Sequence, residues 1–478
     1  MIKNILSGVL LLYFIFLAQP AEAAFNKMLF RGSSGKDVSE LQRLLSTLPD
    51  IYPERSVSGF FGEKTVKAIR RFQKKYGIAE TGTVGFKTRA KLNELLQAKS
   101  PQAVIKPSSS KSLSVSTPKS VNKLSQLWSG GKCDGKGAVT FTSPPMKMED
   151  VSFILPMGLM SGSHVTPVDH LYFHTSHKNT GRYDVLAPAD GYVVSAEIVG
   201  DSKDYRMVLE HTCTLYTIYI HVTELAPKIL AQTGLFSRGS KMIRVPVRAG
   251  EIIGTKIPNM EAKTFQVDFS VANAEFNLKG FVVPEHYTGE LWKVHTDDLY
   301  KYYKDSLKGE LIAKTVRTAE PVSGKIDYDT DGRLVGNWFR AGTNGYSGSN
   351  PYQYWEGHLT IAYDYIDPTK VRISIGDWGG KSMQAAVAGN IPDPKDVGVE
   401  TGLVKYELID SHYIHSSGGF WDQETLAKNI QLDISKPYPY GTLLAQLVDQ
   451  RKLKLETFPG KSAAEVSGFT ANALMYER

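Results

Sequence analysis

GKDVSELQRLLSTL, at residues 35–48, is the stretch that decides the fold of the N-terminal part of this chain. Its apolar side chains recur every three or four residues, the spacing of one face of an amphipathic helix. The same spacing returns after Gly62, and again from about Thr88. Glycine-rich turns separate the three patterns, at residues 58–62 and 81–85. We therefore predict a small three-helix bundle.

The order of these residues says more than their periodicity. The motifs are Gly35-x-Asp-Val38-x-x-Leu41-Gln42-x-x-Leu45, then Gly59-x-Phe61-Gly62-x-x-Thr65-x-x-Ala68-x-x-x-Phe72-Gln73, then Gly82-x-Val84-x-x-x-Thr88-x-x-x-Leu92. Across residues 30–96 this pattern closely resembles the three-helix peptidoglycan-binding domain. The resemblance implies a non-catalytic domain that holds wall peptide or glycan in a shallow groove. Phe72 and Gln73 are expected to serve the core and a turn rather than the ligand.

The first 23 residues have the pattern of a secretory signal peptide. Lys3 supplies a positive charge, the run from Ile5 to Leu17 is apolar, and Ala21-Glu22-Ala23 has the small-x-small form of a cleavage site. The alternative is an N-terminal membrane anchor. No later stretch is long and apolar enough to span a bilayer. We predict an exported protein of the cell wall, the periplasm or the extracellular space.

Positive charge is concentrated in the N-terminal part of the chain. Residues 24–96 contain 14 Lys and Arg against 7 Asp and Glu, and residues 97–125 add five lysines and no acid. Such a basic region suits anionic wall polymers, although it could equally be a solvated helix face. Residues 97–125 are rich in Ser and Pro and are predicted to be a flexible linker. No pattern resembles a nucleic-acid-binding module.

From residue 126 to 308 the sequence changes to short β-type runs separated by Gly and Pro, which predicts an antiparallel sheet domain. Six of the eleven histidines lie between positions 164 and 221. A cluster this dense suggests a metal site, and surface histidines are the alternative.

Three blocks of this region resemble the lysostaphin-like zinc endopeptidases that cut wall cross-links. They are YDVLAPADGYVV at 183–194, MVLEHTCTLYTIYIHV at 207–222 and VRAGEIIG at 247–254. The resemblance implies zinc bound by a His-x-x-x-Asp pair and by the second histidine of a His-x-His motif. It also implies that the histidine of a Tyr-x-His motif and the first histidine of His-x-His act in catalysis.

This sequence departs from that family at two motifs. His164 and Asp169 are separated by four residues instead of three, and His170 is a substitute candidate. The last motif is Gln266-Val-Asp268 in place of His-x-His. The predicted metal ligands are therefore His164, Asp169 and Asp268. The predicted catalytic positions are His221 and Gln266. A glutamine side chain cannot exchange a proton near neutral pH, and loss of one general acid or base lowers rates by about 10²–10⁴-fold. We predict an impaired or inactive peptidase fold that still binds wall peptides, with zinc as a possible ligand; an active metal-dependent endopeptidase is the alternative.

Cys133 and Cys213 could form a disulfide in an oxidising compartment or remain two buried thiols.

Residues 309–478 show period-two runs that predict an antiparallel β-sandwich or barrel, followed by a helix near 440–450. Aromatic residues in this part suggest a second alternative, glycan recognition by stacking: Trp338, Tyr346, Tyr352, Tyr354, Trp355, Tyr363, Tyr365 and Trp378.

The predicted fold class is thus a multidomain chain. A signal peptide (1–23) precedes the three-helix bundle (24–96) and the linker (97–125). An all-β lysostaphin-like antiparallel sheet domain (126–308) and a β-rich C-terminal domain (309–478) follow.

Overall fold

The computed structural model describes residues 25, 29–31, 33–78, 80–97, 123–176, 181–199, 204–259, 264–350, 353–435 and 438–478. The predicted signal peptide and residues 98–122 of the predicted linker lie outside the described residues. The chain divides into two compact units, Met1–Ser112 and Leu113–Arg478. Among the described residues of both units, no helix has the length and apolar content needed to cross a bilayer.

Three helices lie among the described residues of the first unit, as predicted. They are α1 (Lys36–Ser46), α2 (Glu63–Lys75) and α3 (Phe86–Gln97). Each helix contributes apolar side chains to one core, which includes Val38, Leu41, Leu45, Ile69, Phe72 and Leu92. The three-residue and four-residue spacing of these side chains is therefore the spacing of one buried helix face.

Two glutamines hold the turns between the helices in the same way. Gln73 Nε2 donates to the Thr83 carbonyl at 2.7 Å, and Gln73 Oε1 accepts from the Gly82 N–H at 2.8 Å. Gln42 binds the Phe60 carbonyl and the Gly59 N–H in the same manner, at 2.9 Å each. Both glycines have positive φ, which only glycine adopts without strain. The glutamines satisfy buried backbone groups, as expected for Gln73.

The first described element of the second unit is helix α4, and the described residues that follow it form two sheets in the N-terminal part of the unit. The larger sheet has the order β1-β2-β10-β6-β5-β4-β8, with β11 paired to β10, and the smaller sheet has the order β3-β9-β7. Their elements are α4 (Lys123–Ser129), β1 (Phe153–Leu155), β2 (Leu171–His174), β3 (Tyr183–Leu186), β4 (Gly191–Ile198), β5 (Tyr205–Glu210), β6 (Leu215–Val222), β7 (Glu224–Leu225), α5 (Pro227–Thr233), β8 (Ser240–Val247), β9 (Ile252–Lys256), β10 (Gln266–Asn273) and β11 (Thr296–Asp297).

The C-terminal part of the second unit is a closed antiparallel barrel, in which β21 returns to pair with β12. Helix α6 (Asp305–Lys314) precedes it, and β17 and β18 form a separate two-stranded sheet. The strands are β12 (Gly336–Arg340), β13 (His358–Tyr363), β14 (Val371–Ile375), β15 (Met383–Val387), β16 (Val404–Ile409), β17 (His412–Ile414), β18 (Gln431–Asp433), β19 (Pro439–Asp449), β20 (Lys452–Pro459) and β21 (Leu474–Glu477). The predicted fold class is confirmed: a small helical unit is followed by antiparallel sheets and a β-rich C-terminal part.

The predicted helix near 440–450 is wrong, because these residues form β19. The run is apolar on both faces, because the core-facing side chains of Leu443, Ala445 and Leu447 alternate with side chains that include the buried Leu444. Its periodicity therefore does not separate helix from strand.

The domain boundary at 308/309 stays a prediction. One core cluster contains residues from both sides of it, including Phe153, Tyr172 and Trp421.

A disulfide joins Cys133 to Cys213 across 80 residues of chain. Closing a loop of this length lowers the entropy of the unfolded chain, which corresponds to about 4 kcal/mol. We expect Cys133→Ser to lower the urea midpoint of the second unit under non-reducing conditions. All six tryptophans lie in this unit, so their fluorescence measures its unfolding. A midpoint equal to that of the wild-type protein would contradict the prediction.

Candidate functional site

The predicted site residues meet at the middle of the larger sheet. Asp169 and His170 immediately precede β2, His221 lies near the end of β6, and Asp268 lies in β10 between these two strands. In the register of the sheet, Asp268 is opposite Tyr172 on one side and Ile220 on the other. Three neighbouring strands therefore bring together four residues that are far apart in sequence.

His170 lies between two carboxylates. Its Nδ1 is 3.2 Å from Asp169 Oδ1, and its Nε2 is 3.3 Å from Asp268 Oδ2. All three side chains are buried, with His170 only 7% exposed. An imidazole that faces an acceptor from each nitrogen is satisfied only when both nitrogens hold a proton. The geometry thus favours a charged His170.

His221 has a second carboxylate partner. Its Nδ1 is 2.9 Å from Asp204 Oδ2, and its Nε2 is 3.7 Å from Asp268 Oδ2. The backbone of His221 has φ of +66°, and the pairing of β5 with β6 shifts register beside it. Bulges near functional sites redirect side chains, and a positive φ in a non-glycine residue costs about 1–3 kcal/mol. The fold therefore holds this imidazole in place despite an unfavourable backbone conformation.

Two buried lysines flank the site, and no sequence pattern indicated them. Lys256, at the end of β9, has no exposed surface, and its Nζ is 3.8 Å from Asp204 Oδ2. Lys293, in the 3₁₀-helix Leu291–His295, is 2% exposed. Lysine is rarely buried unless it is paired with an acid. Because the partner acids come from distant parts of the chain, the sequence alone contained no signal for these pairs.

The charges in the site act on one another. Burial alone raises the pKa of Asp169, but the Lys293 ammonium and the His170 hydrogen bond outweigh burial, and the net pKa is lowered. Burial alone lowers the pKa of His170, but Asp268 and Asp169 outweigh it and the pKa is raised. The structure thus favours ionised Asp169 beside protonated His170.

The two remaining predicted residues are placed differently. The His164 ring centre lies 6.5 Å from that of His170, and burial lowers the pKa of His164 to about 4, so this histidine is neutral near pH 7. Gln266 lies two residues before Asp268 on β10, and thus on the same face of the strand. Its Oε1 accepts a hydrogen bond from the Phe265 N–H.

The predicted zinc ligands do not fit a metal ion in this arrangement. Within the described ranges, no group of three or more His, Cys, Asp or Glu side chains is placed to hold one. Asp169 and Asp268 instead each place an oxygen against His170, whose ring lies between them. The ligand set of His164, Asp169 and Asp268 therefore stays a prediction.

Four of the eight aromatic residues predicted for sugar stacking are core residues. Trp338, Tyr346, Tyr365 and Trp378 are all buried, and they belong to apolar clusters. Buried rings have no open face on which a sugar could stack. Tyr352 lies outside the described residues. The buried aromatics thus give no support to the glycan-recognition alternative.

His358 lies beside these aromatics and supplies a pH-dependent prediction. It is 1% exposed, its Nε2 is 2.9 Å from the Tyr346 carbonyl, and burial lowers its pKa to about 3. Between pH 6.5 and 3 the unfolded chain therefore binds a proton that the folded chain does not, so stability falls as the pH falls. From pH 7 to pH 5 this group should remove about 2 kcal/mol of unfolding free energy. Urea unfolding followed by tryptophan fluorescence measures the loss.

The control for that prediction is His358→Gln, which cannot titrate. This variant should lose about 2 kcal/mol less than the wild-type protein between pH 7 and pH 5. Equal losses in the two proteins would contradict a buried neutral His358.

Residues 34–92 match the family model described as "Putative peptidoglycan binding domain". The match thus lies within the first unit of the structure. The second unit lies outside the matched residues.

Curated relatives match a short part of the chain. A spore cortex-lytic enzyme of Bacillus cereus is 41% identical over 71 residues, which are 15% of this chain and 27% of the relative. A probable N-acetylmuramoyl-L-alanine amidase of Bacillus licheniformis is 37% identical over 68 residues, which are 13% of this chain and 19% of the relative. The chain thus spans about a quarter or less of the length of these relatives.

Solved structures also resemble the chain. The antimicrobial peptidase lysostaphin from Staphylococcus simulans is 15% identical, with a TM-score of 0.23 over 52% of this chain and 93% of lysostaphin. Csd3 of Helicobacter pylori is 15% identical, with a TM-score of 0.21 over 35% of this chain and 34% of Csd3. These scores are too low to support an argument about the site.

Proposed function

We propose that this protein is exported, attaches to peptidoglycan through its first unit, and does not hydrolyse it. The observation that supports wall attachment is the match of residues 34–92 to the peptidoglycan-binding domain, whose helices and turn contacts are all present. The signal-peptide pattern at residues 1–23 supports export. A location in the cell wall, the periplasm or the extracellular space follows from the two together.

The absence of hydrolysis is inferred from the candidate site. His170 is bound to both predicted carboxylate ligands, and Gln266 replaces a side chain that would exchange protons. The candidate site is thus a buried cluster of ion pairs in a lysostaphin-like sheet domain. We propose that this domain binds wall peptides without cleaving them.

A sedimentation assay tests the proposal. The mature full-length protein is mixed with isolated cell walls, the walls are pelleted, and the turbidity of a parallel suspension is followed over time. We expect the protein in the pellet and unchanged turbidity, with a known wall hydrolase as the positive control. A fall in turbidity that Asp268→Ala abolishes would overturn the proposal, and so would protein that stays in the supernatant.

A metal-dependent endopeptidase is the second candidate, and one observation favours it. His170 and His221 each have one nitrogen on a carboxylate and the other toward Asp268, which is how carboxylates orient metal-bound histidines. Asp169 Oδ2 and Asp268 Oδ1 are also buried without a hydrogen-bond partner among the described residues. Since the described side chains are not placed to hold a metal, this candidate requires them to move.

A further inference from the structure

A cavity of about 350 Å³ in the second unit is formed by three separate parts of the chain. Residues 158–161, which follow β1, line it together with residues between 364 and 372 and residues between 411 and 432. The four residues brought together in the candidate site do not line it. Sites for small ligands usually measure about 300–1,000 Å³, so the cavity has the size of such a site.

Tyr365 supplies an unpaired donor at the wall of this cavity. The residue is 4% exposed, and its hydroxyl is buried without a hydrogen-bond partner. The Tyr413 hydroxyl acts on it from nearby, but the two are not in hydrogen-bond geometry, and Tyr413 donates to Asp364 Oδ2 at 2.7 Å. Because buried polar groups are almost always paired, an unpaired hydroxyl at a cavity wall is a donor for a bound ligand.

Arg372, on β14, brings positive charge to the same cavity. Its Nη1 donates to Ser411 Oγ at 2.5 Å, and its Nε lies 3.7 Å from Asp364 Oδ2, beyond the length of a normal hydrogen bond. A guanidinium has five N–H donors in a planar fork and binds a carboxylate through two of them at once. These contacts leave Arg372 with donors for a ligand.

The other charged groups at the cavity are already paired. Asp364 is 1% exposed, and its Oδ1 accepts hydrogen bonds from two backbone N–H groups of the turn that follows, at 2.9 Å each. The charge of Arg317 acts on Asp364 as well. His412 Nε2 lies 3.6 Å from Asp433 Oδ2. The side chain of Arg372 is 17% exposed, so of the Asp364–Arg372 pair the cation is the member that a ligand can reach.

Phe420 gives the cavity an apolar surface. It is 65% exposed, although large apolar side chains are usually buried. Its ring centre lies 6.1 Å from that of His412, which also lines the cavity. Aromatic faces offer a large apolar area against which a sugar ring or a small apolar group can pack. The cavity thus combines a cation, a buried donor and an apolar surface.

We propose that this cavity binds the free carboxylate of a small ligand, either the C-terminus of a short peptide or an acidic sugar. Arg372 and the Tyr365 hydroxyl bind the carboxylate, and Phe420 packs against the remainder of the ligand. The inference goes beyond the proposed function, because it assigns a ligand site outside the candidate site and does not depend on the first unit.

Isothermal titration calorimetry on the mature full-length protein tests the inference with two pairs of probes. N-acetyl-alanyl-alanine is compared with its C-terminal amide, and N-acetylmuramic acid is compared with N-acetylglucosamine, which has no carboxylate. We expect saturable binding of at least one carboxylate, at least about tenfold tighter than its uncharged counterpart, or about 1.4 kcal/mol. The carboxylate that binds more tightly identifies the ligand as a peptide or as a sugar.

Tyr365→Phe removes only the unpaired hydroxyl. We expect it to weaken binding of that carboxylate at least about tenfold and to leave the urea midpoint unchanged or higher, because the hydroxyl has no partner within the protein. A structural role for the hydroxyl would instead lower the midpoint.

Tyr406→Phe is the matched control. The Tyr406 hydroxyl is also buried without a hydrogen-bond partner, but this residue lies in the barrel core and does not line the cavity. We expect this variant to bind both carboxylates as the wild-type protein does. Arg372→Lys keeps a positive charge beside Asp364 but loses the planar fork, and should also bind at least about tenfold more weakly.

Three outcomes would overturn the inference. They are no saturable binding of either carboxylate, equal affinity for a carboxylate and its uncharged counterpart, and wild-type affinity in Tyr365→Phe. If Arg372→Lys fails to fold, as judged by tryptophan fluorescence, Tyr365→Phe still decides. Protein that stays in the supernatant of the wall sedimentation assay would instead overturn the proposed function alone.

Discussion

Phe72→Asp should abolish the pelleting of the full-length protein with cell walls. Phe72 is fully buried in the core of the three-helix unit. Loss of its ring costs about 3–5 kcal/mol, and burial of a carboxylate adds several more. This sum is at least about the whole stability of a small domain, which is near 5 kcal/mol. The first unit should therefore unfold, and wall binding should be lost with it.

Val57→Asp is the matched control, because it introduces the same charge at a position in the same unit that is 42% exposed. It should pellet as the wild-type protein does. Tryptophan fluorescence should be unchanged in both variants, since all six tryptophans belong to the second unit. Undiminished pelleting of Phe72→Asp would show that wall attachment lies outside the first unit.

Asp268→Ala should destabilise the second unit by about 3–5 kcal/mol, the usual effect of removing one partner from a buried ion pair. Asp268 is 3% exposed and faces both His170 and His221, so its removal leaves buried positive charge without its partner. Urea unfolding followed by tryptophan fluorescence measures the change. The same substitution in a zinc peptidase would act chiefly on activity and on metal content.

Asp331→Ala provides the comparison for that measurement. Asp331 binds Arg451 through two hydrogen bonds of 2.8 and 2.9 Å, but both side chains are about half exposed. An exposed pair contributes about 0–1 kcal/mol, so this variant should unfold near the wild-type midpoint. Equal midpoints for Asp268→Ala and the wild-type protein would show that the buried cluster does not depend on Asp268.

The sequence was sufficient for the helices of the first unit and for much of the sheet structure. The spacing of Val38, Leu41 and Leu45 matches the helical period, and the core they enter lies on one helix face. Runs in which apolar and polar residues alternate predicted the strands of the second unit equally well. The predicted helix near 440–450 is wrong, because both faces of β19 are apolar there. Pairing with neighbouring strands, rather than local periodicity, determines the structure of these residues.

The candidate site could be predicted only in part, for a similar reason. Motif spacing indicated His221 and Asp268, and it named His170 only as a substitute. It did not indicate that the His170 ring lies between two carboxylates, because that depends on the register of β2 against β10. Lys256 and Lys293 were missed entirely. Their burial results from the packing of β9 and a 3₁₀-helix, and a lysine in a short motif looks the same whether it is solvated or buried.

The pairing of β12 with β21 has a consequence for the order of events during synthesis. Phe339 is opposite Glu477, so the barrel cannot close until nearly 140 further residues have been made after its first strand. Contacts this distant in sequence form slowly, since the loop between them must be ordered first. The C-terminal core therefore stays open while the chain grows. A translocation channel that threads unfolded polypeptide would receive this chain before its barrel could obstruct passage.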